Sequence, residues 1–203
     1  MKQGVISAVL TLMILCSACG QDTSKEEVAI PTIEELEAAQ IENAMESYSS
    51  IIYGDGTFHN LDSGEVETLK KFGEGISPTA TMEVASAAYV DLDGKNGKEL
   101  ILYFLDGAGV YLIFSTIDGE AYCTMMTYRC FEMLQADGKY LGSGGAGDSY
   151  FHRLSIDKTG VTEETFAEYH DGVLTVGGEV VEGYDEWFEE NYSNPAFFLK
   201  IQH

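Results

Sequence analysis

The 203-residue chain is short of basic side chains, with 11 Lys and Arg against 34 Asp and Glu. A formal charge of −23 leaves no cluster of cations to hold a phosphate backbone, which excludes DNA and RNA as partners. The same shortage excludes an electrostatic grip on anionic lipid. Long apolar runs are also scarce. The stretch from Gly4 to Leu15 is too short for a permanent span, which needs about 20 residues, and no later stretch is longer. Cysteine occurs four times. Between Cys123 and Cys130, extended chain covers about 23 Å, far beyond the ~7 Å that a disulfide allows, and no Gly, Pro, Asn or Asp within Met125 to Arg129 turns the chain back. Two unpaired thiols are therefore expected. What is plentiful is apolar and aromatic material: 45% hydrophobic residues with twelve Tyr, ten Phe and one Trp, enough for a core despite the charge. The length suits one domain.

The N-terminus reads as an export signal, with Lys2 ahead of the apolar stretch and small residues after it. Ser17-Ala18-Cys19-Gly20 resembles the lipobox of bacterial lipoproteins, with Cys16 standing where that family usually has Leu. The resemblance implies a signal peptide over residues 1–18, diacylation of Cys19, and a chain held at the extracytoplasmic face of the cell membrane, because two acyl chains anchor stably where one does not. Residues 19–30 carry no apolar period and read as a flexible tether. Loss of the signal would remove Lys2 and no acid, leaving 34 acids against 10 bases.

Residues 31–203 read as a single α+β domain, an antiparallel β-meander with an N-terminal amphipathic helix and a short C-terminal helix. Thr32 and Glu35 form a capping-box pattern, and Ile33, Leu36, Ala44, Tyr48 and Ile51 recur at helical spacing up to about Tyr53. A second short helix is expected around Glu65 to Phe72. From Met82 onward, short apolar runs alternate with Asp-Gly pairs at Asp93, Asp106, Asp118, Asp137 and Asp171, the strongest short-range hairpin signal. The runs are Glu99 to Leu105, Val110 to Thr116, Ala121 to Tyr128, Tyr150 to Ile156 and Val161 to Tyr169. They follow too closely for crossover helices, which excludes Rossmann and TIM-barrel architectures. Tyr184, Trp187, Phe188 and Tyr192 are spaced for a helix that Asn194-Pro195 ends, and Ala196 to Ile201 suits an edge strand.

Three segments carry candidate chemistry. In Asp91-Leu92-Asp93-Gly94-Lys95-Asn96-Gly97-Lys98-Glu99, alternate side-chain oxygens on a tight loop could surround Ca²⁺. The loop is similar to those of VCBS and FG-GAP surface repeats, with Asp91, Asp93 and Glu99 on matching positions as metal ligands and Lys95 where a third carboxylate belongs. An Asx-type turn joining two strands is the preferred reading over a cation site, and no other cofactor is implied. Together with Tyr111-Leu112-Ile113 and the glycine block below, this segment resembles a group of uncharacterised lipoproteins of Gram-positive gut bacteria. The likeness covers about residues 85–160 and implies no activity.

Gly142-Ser143-Gly144-Gly145-Ala146-Gly147 matches the letters of a dinucleotide fingerprint, but a strand rather than a helix follows, so dinucleotide binding is excluded. The block reads instead as a tightly turned loop whose amides approach a ligand. With it, Tyr150 and His152 complete a candidate ligand-binding set: Gly142, Ser143, Gly144, Gly145, Gly147, Tyr150 and His152. His152 shares strand parity with Leu154 and Ile156, which favours a partly buried structural role, and Glu163-Glu164 reads as a solvated face. The function this suggests is a membrane-anchored binding or interaction module for a peptide, glycan or protein. The alternatives are a surface hydrolase using carboxylates with His152 and a structural envelope protein. A deep cleft gathering His152 with two carboxylates would favour the enzyme, and a shallow aromatic groove would favour binding.

Overall fold

The structure, a computed structural model, describes residues 31–77, 81–104, 109–145 and 147–201. The export signal, Cys19, the tether, Asp106-Gly107 and Ala146 lie outside the described residues. Residues 32–203 form one compact unit.

The capping box is present as expected. Thr32 Oγ1 accepts from the Glu35 amide at 3.2 Å, and Glu35 Oε2 accepts from the Thr32 amide at 2.7 Å, which starts α1 (Ile33–Ser47). The expected single helix to Tyr53 breaks at Tyr48 and resumes as α2 (Ser49–Tyr53). Tyr48 is the reason: its buried ring lies 5.4 Å from that of Phe114, and its hydroxyl shares a 2.6 Å hydrogen bond with Thr116. The buried stripe of α1 is Ile41, Ala44 and Met45, while Ile33 and Leu36, expected on that side, are exposed in the first turns. The short helix expected around Glu65 forms four residues later.

β1 (Thr57–Asn60), β2 (Val66–Thr68) and α3 (Leu69–Ile76) precede the meander strands β3 (Val84–Val90), β4 (Glu99–Phe104), β5 (Val110–Ile117) and β6 (Glu120–Thr127). β7 (Lys139–Gly145), β8 (Asp148–Asp157), β9 (Gly160–His170), β10 (Val173–Val176) and β11 (Glu179–Val181) follow, then α4 (Tyr184–Asn191) and β12 (Leu199–Lys200). They make two sheets, a seven-stranded one ordered β12-β3-β4-β5-β6-β1-β2 and a five-stranded one ordered β11-β10-β9-β8-β7. The second is a plain antiparallel meander. The first is antiparallel except where β1 lies parallel to β6. Asp118-Gly119 and Asp171-Gly172 close hairpins with positive φ at both residues, the conformation that matches strand twist. Gly177-Gly178 does the same between β10 and β11.

Three apolar clusters define the layering. α1, α2 and α3 pack on one face of the seven-stranded sheet, including Leu100, Leu102, Phe104, Leu112 and Phe114. The opposite face, with Ala88, Ile101 and Ile113, meets Tyr140, Leu154 and Ile156 of the five-stranded sheet. Leu141, Phe151, Ala167 and Leu174 on the far side of that sheet are covered by Trp187, Phe188 and Tyr192. Helices, sheet, sheet and helix therefore stack in four layers. β4 reads as an unbroken apolar run because both of its faces are buried. Each such Leu, Ile or Phe contributes roughly 1.5–3 kcal/mol through burial.

Candidate functional site

The seam between the two sheets has two ends, about 20 Å apart along β8 at the ordinary rise of extended chain. At one end sits the 91–98 loop. β7 pairs with β8 only as far as Lys139 opposite Arg153, so the backbone of Ile156 has an open edge. The loop fills it. Asp93 Oδ2 accepts from Ser155 Oγ at 2.9 Å and from the Ile156 amide at 3.3 Å, and Asn96 Nδ2 donates to the Ile156 carbonyl at 3.1 Å. Lys95 Nζ donates to Ser155 Oγ at 2.7 Å. Asp91 Oδ1 accepts from the Gly94 amide at 2.6 Å and Asp93 Oδ1 from the Lys95 amide at 2.8 Å, so the loop holds itself in Asx turns.

Glu99 points the other way, into the fold, and is 1% exposed. Its two oxygens accept from the Leu92 amide at 2.9 Å and Ser115 Oγ at 3.3 Å. Burial, aided by the charges of Asp93 and Asp91 and opposed by those two hydrogen bonds, pushes its carboxyl up to about 7. The three carboxylates singled out as metal ligands are thus spent on internal hydrogen bonds. Among the described residues, the one set of three ligand-type groups brought within 4.8 Å is instead Asp148, His170 and Asp171. There His170 Nδ1 meets Asp148 at 2.5 Å and Nε2 meets Asp171 at 3.2 Å, so both ring nitrogens are engaged. A groove of about 710 Å³ beside the loop is lined by Asp91, Asp93, Lys95, Asp137, Arg153 and Asp157 among others, and has no aromatic wall.

The other end of the seam is open. A groove of about 450 Å³ is lined by Met125, Met126 and Thr127 of β6, Cys130 of the following 3₁₀ turn, Gly142 and Ser143 of β7, Tyr150 and His152 of β8, and Glu163 of β9. Four of the seven residues singled out as ligand-binding meet here: Gly142, Ser143, Tyr150 and His152. Gly144, Gly145 and Gly147 do not line it. The glycine block is not the loop expected. Through Gly145 it is strand, with Gly142 opposite Tyr150 and Ser143 opposite Ser149. The glycines are needed for another reason. A Cβ on Gly142 would stand 2.9 Å from His152 Nε2, and one on Gly144 would stand 2.2 Å from the Tyr150 ring, so bare backbone is what lets both side chains lie over β7.

His152 is 8% exposed, in keeping with its strand parity. Its Nδ1 lies 3.0 Å from Thr165 Oγ1 and 3.5 Å from Glu163 Oε1. Burial lowers its pKa below the ordinary histidine value, against the upward pull of Glu163 and Glu168. Glu163, read from sequence as part of a solvated face, turns toward the seam and accepts from the Tyr140 hydroxyl at 2.6 Å. Period-two alternation from inward Val161 would have placed Glu163 and Thr165 on the His152 side. Cys123 is buried and Cys130 exposed, and neither is in a disulfide. Of the aromatics near the block, Phe131, Tyr140 and Phe151 are core and Tyr150 faces the groove. No described helix is long and apolar enough to cross a membrane. Comparison with family models, curated proteins and solved structures found no match.

Proposed function

We propose that the protein is a membrane-anchored, extracytoplasmic binding module that recognises a peptide, glycan or partner protein through the groove between β6, β7 and β8. The observation that carries this reading is the convergence of Gly142, Ser143, Tyr150 and His152 on one concave surface. That surface joins an aromatic ring, a polarisable thioether wall from Met125 and Met126, and polar atoms of Ser143 and His152. Such a mixture suits a ligand with apolar and hydrogen-bonding parts. One carboxylate, Glu163, lines it rather than two, so the arrangement favours binding over acid–base hydrolysis.

The anchor rests on the lipobox-like sequence at Cys19. Cys19→Ala is expected to move the chain from the membrane to the soluble fraction of cells, and continued retention would count against acylation. For the groove, a thermal-shift screen against muropeptides, oligosaccharides and cationic peptides should give a ligand whose stabilisation disappears in Tyr150→Ala. At a ligand concentration 100 times Kd the stabilisation is about 2.7 kcal/mol. A ligand that stabilises Tyr150→Ala as well as the wild type binds elsewhere and removes the proposal.

A further inference from the structure

Two groups in the open groove have chemistry that the fold does not consume. The first is the Cys130 thiol, exposed and unpaired, whose sulfur accepts a hydrogen bond from Thr127 Oγ1 at 3.3 Å. The second is His152 Nε2. Every fully buried side-chain nitrogen or oxygen among the described residues has a hydrogen-bond partner. Nε2 has none among the described residues, so on a ring otherwise nine-tenths buried it opens onto the groove. Nε2 and the Cys130 carbonyl both fall within 3.7 Å of one point, the place a Cβ of Gly142 would take. Behind the ring, the Glu163 carboxylate at 3.5 Å and Thr165 Oγ1 at 3.0 Å favour a proton on Nδ1, which leaves Nε2 a bare acceptor. A thiol, a base turned toward the same groove and a carboxylate orienting that base are the parts of an activated sulfur nucleophile.

We propose that Cys130 is a base-assisted reactive thiol that forms a mixed disulfide with a small disulfide entering the groove. The Sγ proton passes to His152 Nε2 by way of one water in the groove, and the thiolate attacks one sulfur of R–S–S–R. A Cys130–S–S–R bond forms as the R–S–S–R bond breaks, and the departing thiolate takes the proton back from Nε2. Cys130 is oxidised and the disulfide reduced, with no other reactant. Thr127 supports the thiolate by donating to sulfur. The other described cysteine, Cys123, is 1% exposed and offers no resolving thiol, so the adduct persists until an external thiol removes it. The charged lining residue is Glu163, and Glu132 bonds Ser143 Oγ beside it. A cationic disulfide therefore suits the groove better than an anionic one. This proposal concerns the same groove as the binding reading but does not depend on it.

The test uses the full chain treated with cystamine, with the Cys130-containing peptide followed by mass spectrometry from pH 6 to 8 against N-acetylcysteine as reference thiol. Cys130 is expected to react faster than the reference by about tenfold or more at pH 6–7, where the free thiol is mostly protonated. Its rate should fall less steeply as pH drops, because burial keeps His152 neutral against the opposing pull of Glu163 and Glu168, with the Tyr140 and Tyr150 hydroxyls the other ionisable groups around it. His152→Gln should lose most of this advantage and restore the reference slope. Thr127→Val, an exposed change remote from the core, should slow the reaction by a smaller factor, and it serves if His152→Gln fails to fold. Anionic dithiobis(nitrobenzoate) should show a smaller enhancement than cystamine. A Cys130 that reacts no faster than the reference, or a rate and pH slope unchanged in both variants, overturns the proposal.

Discussion

The two ends of the inter-sheet seam are built from similar material and left in opposite states. At the 91–98 end, Asp93, Asn96 and Lys95 each bond to Ser155 or Ile156, and the open edge of β8 is sealed by side chains. At the Cys130 end, β7 covers β8 but carries glycine where side chains would fill the seam. Among the described residues, a ring nitrogen there stays without a partner and an unpaired thiol is met only by the Thr127 hydroxyl. The acidic end therefore holds the fold, while the end with fewer charges is free to meet a ligand. Charge density alone points to the end whose polar groups are already bonded within the fold. What distinguishes a site from a clamp is whether its polar atoms are already satisfied.

The largest effect expected from this contrast lies at the closed end. Glu99 is pushed up to about 7 from the ordinary glutamate value of 4.5, so the folded chain takes up its proton more readily than the unfolded chain. Its contribution to stability is full below about pH 4.5 and is lost as pH rises through about 7. A shift of this size corresponds to roughly 3 kcal/mol. Melting temperature of the wild type should therefore fall between pH 5 and 8 relative to Glu99→Gln, which has no proton to lose. Parallel profiles for the two proteins would show that Glu99 is not the titrating group and that the closed end is not strained by its charge.

Much of the fold was legible in the sequence because its signals are local. Asp118-Gly119 and Asp171-Gly172 each demand positive φ, and the Thr32/Glu35 box needs three residues of context. β4 gave its burial away as an apolar run. The parallel pairing of β1 with β6 is non-local, since Thr57–Asn60 has too few residues to show a period and its partner lies some sixty positions on. The site was half legible. Tyr150 and His152 announced themselves by type and parity, but the glycines were credited with turn-making when their part is to leave room for rings from the next strand. Glu163 was missed because its neighbour Glu164, on the other face of β9, made the pair look like a solvated patch. Cys130 was seen as unpaired, yet nothing in its spacing to His152 tells that a hairpin brings the two to one groove.

A smaller effect separates a clamp from a cation site at Asp93. If its oxygens hold β8, Asp93→Ala leaves the Ile156 amide and the Ser155 hydroxyl without their acceptor and costs about 1–3 kcal/mol, read as a lower melting temperature without added metal. Asp93→Asn keeps one acceptor oxygen and should recover part of that loss. Millimolar Ca²⁺ should then shift the wild type little, since binding would first have to break the bonds from Asp93 to Ser155, Ile156 and Lys95. Lys95 Nζ, 2.7 Å from Ser155 Oγ, would further repel the ion. A large Ca²⁺-dependent rise that vanishes in Asp93→Ala would reverse the assignment of the two ends, making the acidic loop a site whose hydrogen bonds are only its resting state.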